Sequence, residues 1–166
     1  METKVILVDE NDNEIGEMEK LEAHQKGFLH RALSIFIFND EGKILLQQRA
    51  LNKYHSGGLW TNACCSHPVP GVDAVTCAHE RLKEDMGFDT ELKFTTKFIY
   101  SVEFENGLKE NELDYIYVGK YNSNPELNPN EAMDFKWMYL NNLKNDLKIN
   151  PKKYTYWFKL IIEKYF

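Results

Sequence analysis

Apolar positions along this chain recur mostly at a spacing of two, and at the spacing of a helix in only two places. The run KVILVDE alternates weakly and reads as a first strand, and NDNE then turns the chain. RALSIFIFN and KILLQQRA are two strand patterns joined by DEG, a hairpin signal. From Leu51 to Gly71 no period is visible, and so long a connection inside a compact chain is usually functional or disordered. Trp60 and the cysteines within it argue for order. DAVTCAHERLKEDMG changes to helical spacing: Val75, Ala78, Leu82 and Met86 form a stripe, Asp73 stands as N-cap, and Gly87 sits where the helix should stop. Three strand patterns follow, ELKFTTKFIYSVEFE, ELDYIYVGKY and FKWMYL. The end of the chain is helical again, with Asn150-Pro151 as a start signal and Tyr154, Trp157, Phe158, Ile161 and Tyr165 as its apolar face. This order predicts an α+β or mixed α/β sandwich. With no repeat and no Gly/Ser linker, residues 1–166 read as one domain.

Composition narrows the function classes. Hydrophobic residues at 43% and charged residues at 28% describe a soluble globular protein. A net charge of −6 argues against nucleic-acid binding, which needs a basic face. No apolar run is long enough to span a bilayer, so no membrane partner is expected. METKVILVDEND lacks the pattern of a signal peptide. The three cysteines are odd in number, and adjacent Cys64 and Cys65 do not easily meet disulfide geometry, so a reduced, cytoplasmic chain is expected. The oligomeric state is left open, monomer or weak dimer.

The stretch TNACCSHP, residues 61–68, raises the chemical question, because two of the three cysteines stand just before His67. His24 and His30 flank a short polar segment ahead of the first hairpin pattern. Glu110 and Glu112, two apart in a strand pattern, share one face. Two like charges side by side repel unless a cation lies between them. Three histidines and two carboxylates could supply five ligands to one ion and leave a sixth position open, a mixed N/O set that suits Mn, Zn or Fe(II). Taken singly, each histidine reads first as a surface or hydrogen-bonded residue and the glutamates as a solvated edge. A free cysteine is often a small buried hydrophobe, but a thiol beside a metal-bound histidine can move a proton. Spacing alone leaves open which of Cys64 and Cys65 faces such a site. Lys20, Arg49, Lys53 and Arg81 lie in or near the same segments. Together they would suit a polyphosphate, and singly they are ordinary surface charge.

Taken together, KLEAHQKGFLHRALSIFIFN, QQRALNKYHSGGLWTN, WTNACCSHP and KENELD occur in the order found in the type 1 isopentenyl diphosphate isomerases, and the chain resembles that family from its first strand to its last helix. The resemblance implies a Nudix-type mixed β-sheet sandwich flanked by helices. It implies Cys65 and Glu112 as the catalytic pair, with Tyr100 and Trp157 lining the pocket. It further implies His24, His30, His67, Glu110 and Glu112 as ligands of one Mn²⁺ or Zn²⁺. Lys20, Arg49, Lys53 and Arg81 would bind the diphosphate, and Asp85 would help hold a Mg²⁺ that travels with it. Asp85 stands where the family has a glutamate, so its reach is shorter.

The Nudix box, G-x5-E-x7-R-E-U-x-E-E-x-G-U, provides a check. Anchored on Gly87 it keeps Leu82, Glu84, Asp85 and Gly87, but has Ser66 for its first glycine, Val72 for its first glutamate and Glu80-Arg81 for its R-E pair. With arginine in a metal-binding slot, hydrolysis is expected to be lost. The implied reaction converts isopentenyl diphosphate to dimethylallyl diphosphate in isoprenoid biosynthesis. The alkene is protonated to a tertiary carbocation and a neighbouring carbon then loses a proton. Two rivals remain: a Nudix hydrolase, which would release phosphate, and a non-catalytic diphosphate- or metal-binding module.

Overall fold

A computed structural model describes residues 4–166; the first three residues of METKVILVDEND lie outside the described residues. Nine strands are joined by hydrogen bonds into one mixed sheet, and four α-helices accompany them among the described residues. The chain opens with β1 (Lys4–Val8), β2 (Glu14–Glu19) and α1 (Lys20–Lys26), continues with β3 (His30–Phe38) and β4 (Lys43–Arg49), and then makes two short strands, β5 (Trp60–Asn62) and β6 (Cys64–Ser66). After α2 (Ala74–Met86) come β7 (Leu92–Glu103), β8 (Lys109–Lys120), β9 (Ala132–Tyr139), α3 (Leu140–Ile149) and α4 (Tyr156–Tyr165).

β3 is the centre of the sheet. It pairs in parallel with β8 from His30–Glu112 to Phe38–Lys120, and its other edge takes β1 at His30, β6 at 33–35 and β4 at Phe38. The expected hairpin therefore closes at its turn, where Phe38 faces Ile44, and then splays. The splay admits β6 beside β3 and β5 beside β4. The aperiodic segment 51–71 is thus partly strand, too short in each piece to show a period.

Alternation along β3 decides what each face becomes. Leu33, Ile35 and Ile37 meet Cys77, Ala78, Leu82 and Met86 of α2 in one core. Phe36 turns the other way and meets Trp157, Phe158, Ile161 and Ile162 of α4, with Ile44, Leu46, Ile116 and Leu143. This is the expected α+β, helix-flanked arrangement. A ten-residue helix such as α4 is marginal alone. Burial of side chains of this size contributes about 1.5–3 kcal/mol each, so packing holds it in place.

Three local expectations need correction. Asp73 occupies the N-cap position of α2 but makes no side-chain capping bond, while Gly87 closes the helix in the left-handed region at φ 72°. A Cβ on Gly87 would also lie 2.8 Å from the Glu126 carbonyl oxygen. Val75, read as part of the buried stripe, is exposed. The last helix does not start at Asn150-Pro151. A 3₁₀ turn runs Pro151–Lys153, then Tyr154 bridges Trp60 and the Thr155 N–H donates to the Trp60 carbonyl at 3.0 Å, and only then does α4 begin. No helix among the described residues is long and apolar enough to cross a membrane.

Candidate active site

The carboxylate pair sits on the face of β8 that continues into Ile116 and the α4 core. Glu110, Glu112 and Asp114 follow one another at strand period on that face, all buried. Parallel pairing with β3 brings His30 beside Glu112, and the two meet at 3.0 Å between Nε2 and Oε2. His67, which follows β6, reaches the same oxygen at 2.9 Å, and His24 Nε2 of α1 lies 3.7 Å from it. Backbone carbonyls orient two of these rings. His24 Nδ1 donates to Lys20 O at 2.7 Å and His30 Nδ1 to Phe28 O at 2.8 Å, leaving each Nε2 aimed inward.

His24, His30, His67 and Glu112 form a buried group with donor atoms close enough to hold one ion. Glu110 joins a second such group with His24 and His55. His24 Nε2 and His55 Nε2 are buried without a hydrogen-bond partner. Burial holds both rings down to about 3, with His67 acting further on His24 and Arg49 on His55, so both are neutral imidazoles of the kind a metal binds. Orphaned ring nitrogens around buried carboxylates fit a divalent ion well.

Electrostatics splits the two glutamates. Burial, together with Glu112, pushes Glu110 well above the carboxylate range. Burial acts the same way on Glu112, but His67 and His30 outweigh it and hold Glu112 well below that range. Tyr100 Oη bridges them, 2.7 Å from Glu112 Oε1 and 3.1 Å from Glu110 Oε1.

One pocket collects most of the residues singled out by sequence. Lys20, Arg49, Lys53, Arg81, Cys65, His67, Tyr100, Glu110, Glu112 and Trp157 all line it. His24 and His30 lie behind it, and Asp85 stands behind Arg81, 3.2 Å away. Burial raises Asp85 to about 6 against the pull of Arg81.

The two adjacent cysteines part company because β6 is a strand. Cys64 faces the α2 core, where its thiol donates to Asp85 Oδ2 at 3.3 Å. Cys65 faces the pocket, paired across the sheet with Ser34. Its sulfur receives the Trp157 Nε1–H at 3.2 Å and lies 3.2 Å from Asn62 Oδ1. Burial pushes the Cys65 thiol up to about 12, so it carries its proton. The Trp157 ring is engaged too, with the Arg49 guanidinium 5.3 Å from its centre.

The structure also brings in residues that sequence reasoning passed over. His55, Tyr54, Ser34 and Glu131 line the same pocket. Tyr54 lies under the ammonium groups of Lys20 and Lys53, and Glu131 pairs with Lys53 at 2.6 Å. The loop that carries His55 is held at its neck by Arg49 N–H to Leu59 O and Gly58 N–H to Arg49 O. Only glycine fits at 57, since a Cβ there would lie 2.5 Å from Leu51 O. The nearest signal in the sequence was the histidine between Lys53 and the two glycines, but no period marked it.

Residues 28–158 match the family model of the NUDIX domain, which defines the class of this protein. Solved structures agree on the fold. A Deinococcus radiodurans protein superposes with a TM-score of 0.80 at 14% identity, covering 98% of this chain and 99% of that one. The MutT protein of Methanosarcina mazei Go1 follows at 0.67 and 14% identity, covering 82% and 91%. Among curated relatives, "Isopentenyl-diphosphate Delta-isomerase 2" of Aromatoleum aromaticum is 47% identical over 99% of this chain and 87% of its own length. The protein of the same name in Photorhabdus laumondii is 48% identical over 98% and 92%. The chain belongs, within the NUDIX superfamily, to the isopentenyl-diphosphate Delta-isomerase family.

Proposed function

We propose that this chain interconverts isopentenyl and dimethylallyl diphosphate, working as one domain over residues 1–166. The observation that supports this most directly is that a protonated thiol and a carboxylate from the histidine cluster border one pocket, with four cations on the same lining. In the reaction a proton is added to the terminal alkene carbon, leaving a tertiary cation, and a second proton is then lost from the carbon next to it, which becomes the new double bond. Cys65 and Glu112 serve as donor and acceptor and exchange roles with the direction of the reversible reaction. Tyr100 holds Glu112 in orientation through Oη. Trp157, against the Cys65 sulfur, offers its ring to the cation and excludes water that would quench it.

Lys20, Arg49, Lys53 and Arg81 hold the diphosphate, and Asp85 approaches the Mg²⁺ that accompanies it. His24, His30, His67, Glu110 and Glu112 hold one Mn²⁺ or Zn²⁺, which when bound draws charge from Glu112 and tunes its proton affinity. The test is incubation with isopentenyl diphosphate and Mg²⁺ in deuterated water. Deuterium in dimethylallyl diphosphate without phosphate release is expected; phosphate release without label would make the chain a hydrolase instead.

A further inference from the structure

Where β5 passes into β6, the chain crosses from the edge of β4 to the edge of β3, with Leu46 opposite Asn62 and Ile35 opposite Cys64. Asn62 is fully buried at this crossing and is absent from the pocket lining. Its Nδ2 donates to the Ile35 carbonyl at 3.1 Å and to the Cys64 carbonyl at 2.8 Å. A carbonyl oxygen only accepts, so these two bonds fix which way the amide faces, and Oδ1 must point away from them. There it accepts from Thr61 Oγ1 at 3.0 Å and from the Cys65 thiol at 3.2 Å. Two hydrogens and two lone pairs are all that the amide offers, and all are used.

A second element ties into the same group. Thr155, at the N-cap position of α4, donates through Oγ1 to Thr61 Oγ1 at 2.8 Å, which directs the Thr61 hydrogen onward to Asn62. Trp157, two residues further on, meets the Cys65 sulfur with its Nε1–H at 3.2 Å. Thr61 Oγ1 is 3.9 Å from that sulfur, farther than Asn62 Oδ1. The thiol thus stands between one donor, Trp157, and one near acceptor, Asn62. Together they set where the sulfur sits and where its hydrogen points. A thiol is a weak donor, so the hydrogen leaves Oδ1 at little cost when a substrate carbon comes within reach.

We propose that Asn62 is a positioning residue for the Cys65 thiol: it holds the sulfur and its hydrogen in place at the pocket wall without touching substrate itself. The proposal rests on the reading of Cys65 as a proton-transfer group and extends it to the residue that aims the thiol. Proton transfer needs close approach, and a misplacement of ~1 Å costs on the order of 10²-fold in rate. An asparagine present only to satisfy two carbonyls would show itself in melting and leave the thiol as it was.

The test is the infrared S–H stretch of Cys65, isolated by subtracting the spectrum of the matching Cys65→Ala protein. It is measured on the parent chain, Asn62→Leu, Asn62→Ala and Thr61→Val, together with kcat, KM and melting. The parent band is expected at the lowered frequency of a hydrogen-bonded thiol, and it should move to the free-thiol position in both Asn62 variants. Thr61→Val, which removes the more distant oxygen, should keep the band hydrogen-bonded. In the Asn62 variants kcat should fall about tenfold to hundredfold, with KM for isopentenyl diphosphate within about twofold of the parent value. A free-thiol band in the parent would overturn the proposal, and that result needs no Asn62 variant to fold. So would a band that shifts in Thr61→Val and not in the Asn62 variants, folded Asn62 variants with parental kcat, or a loss confined to KM. A parent chain that puts no deuterium into dimethylallyl diphosphate would overturn the reading of Cys65 and the proposal with it, whereas labelled product at parental kcat in the Asn62 variants would overturn the role of Asn62 alone.

Discussion

The two faces of the central strands are built from the same backbone and do different work. Beneath α2 the side chains that β3, β4 and β6 pack into the core are apolar: Leu33, Ile35, Leu45 and Cys64. On the opposite face, the same strands and β8 run from an apolar end at Phe36 and Ile116 to an ionisable end at His30, Glu110, Glu112 and Asp114. Burial is equally deep at both ends. A charge without partners would cost several kcal/mol there, so the ionisable end is stable only because each group has a partner or an ion to meet. One face is free to be tight; the other holds polar groups for chemistry.

Adjacent cysteines test this division most sharply. Cys65→Ala is expected to remove isomerisation almost entirely, since a positioned proton donor contributes about 10²–10⁴-fold, with little change in melting temperature. Cys64→Ala should keep turnover and lose about 1 kcal/mol of stability. Turnover and thermal melting on both variants decide it, and a dead Cys64→Ala beside an active Cys65→Ala would reverse the assignment. Leu82→Ala, in the apolar core under α2, should cost about 2–5 kcal/mol in denaturant unfolding while leaving turnover per folded molecule unchanged. Loss of turnover in a fully folded Leu82→Ala protein would mean that the faces are not separable.

Trp157 stands at the boundary, in both the α4 core and the pocket. Trp157→Phe keeps much of the volume but loses the N–H to Cys65 and the better π-face. A fall in kcat of roughly tenfold is expected, from the loss of about 1–2 kcal/mol, with a small change in melting temperature and little change in diphosphate affinity. Early melting with parental turnover would place Trp157 wholly in the core.

The smallest effect belongs to neither face. Asp146 in α3 accepts from Tyr154, Asn150 and Lys153, which hold it below its ordinary value of 3.8. A carboxylate with a depressed folded pKa contributes stability above its ordinary pKa and loses it as pH falls further. Asp146→Asn should therefore flatten the acid limb of the stability profile below about pH 4 and leave activity alone. An unchanged acid limb would remove this residue from the account.

What could be read from the chain follows from how each element announces itself. α2 and the long strands carry apolar periods and stood out. α1 did not, because its buried face is Ala23 and His24, a functional side chain in place of a hydrophobic stripe. β2 is exposed along most of its length, so it has no alternation to show. β5 and β6 have three residues each and form because β3 and β4 splay, a tertiary cause invisible locally. Similarly, the motif residues from Lys20 to Trp157 were found by family likeness, whereas His55 needed the fold, since only the loop neck at Arg49 and Gly58 turns it toward His24 and Glu110.

The parallel register of β3 and β8 has a consequence in time. His30 and Glu112 touch across 82 residues of chain. Parallel neighbours cannot close through a short turn, and contacts so distant along the chain are entropically late. As the chain is synthesised, His24, His30 and His67 emerge well before either glutamate, so a nascent chain offers scattered imidazoles that compete poorly for an ion. An ion held by His24, His30, His67 and Glu112 would be captured tightly only after β8 docks, a late step that reports the completed sheet. In refolding, the metal signal should therefore rise after the backbone signal of the α2 core.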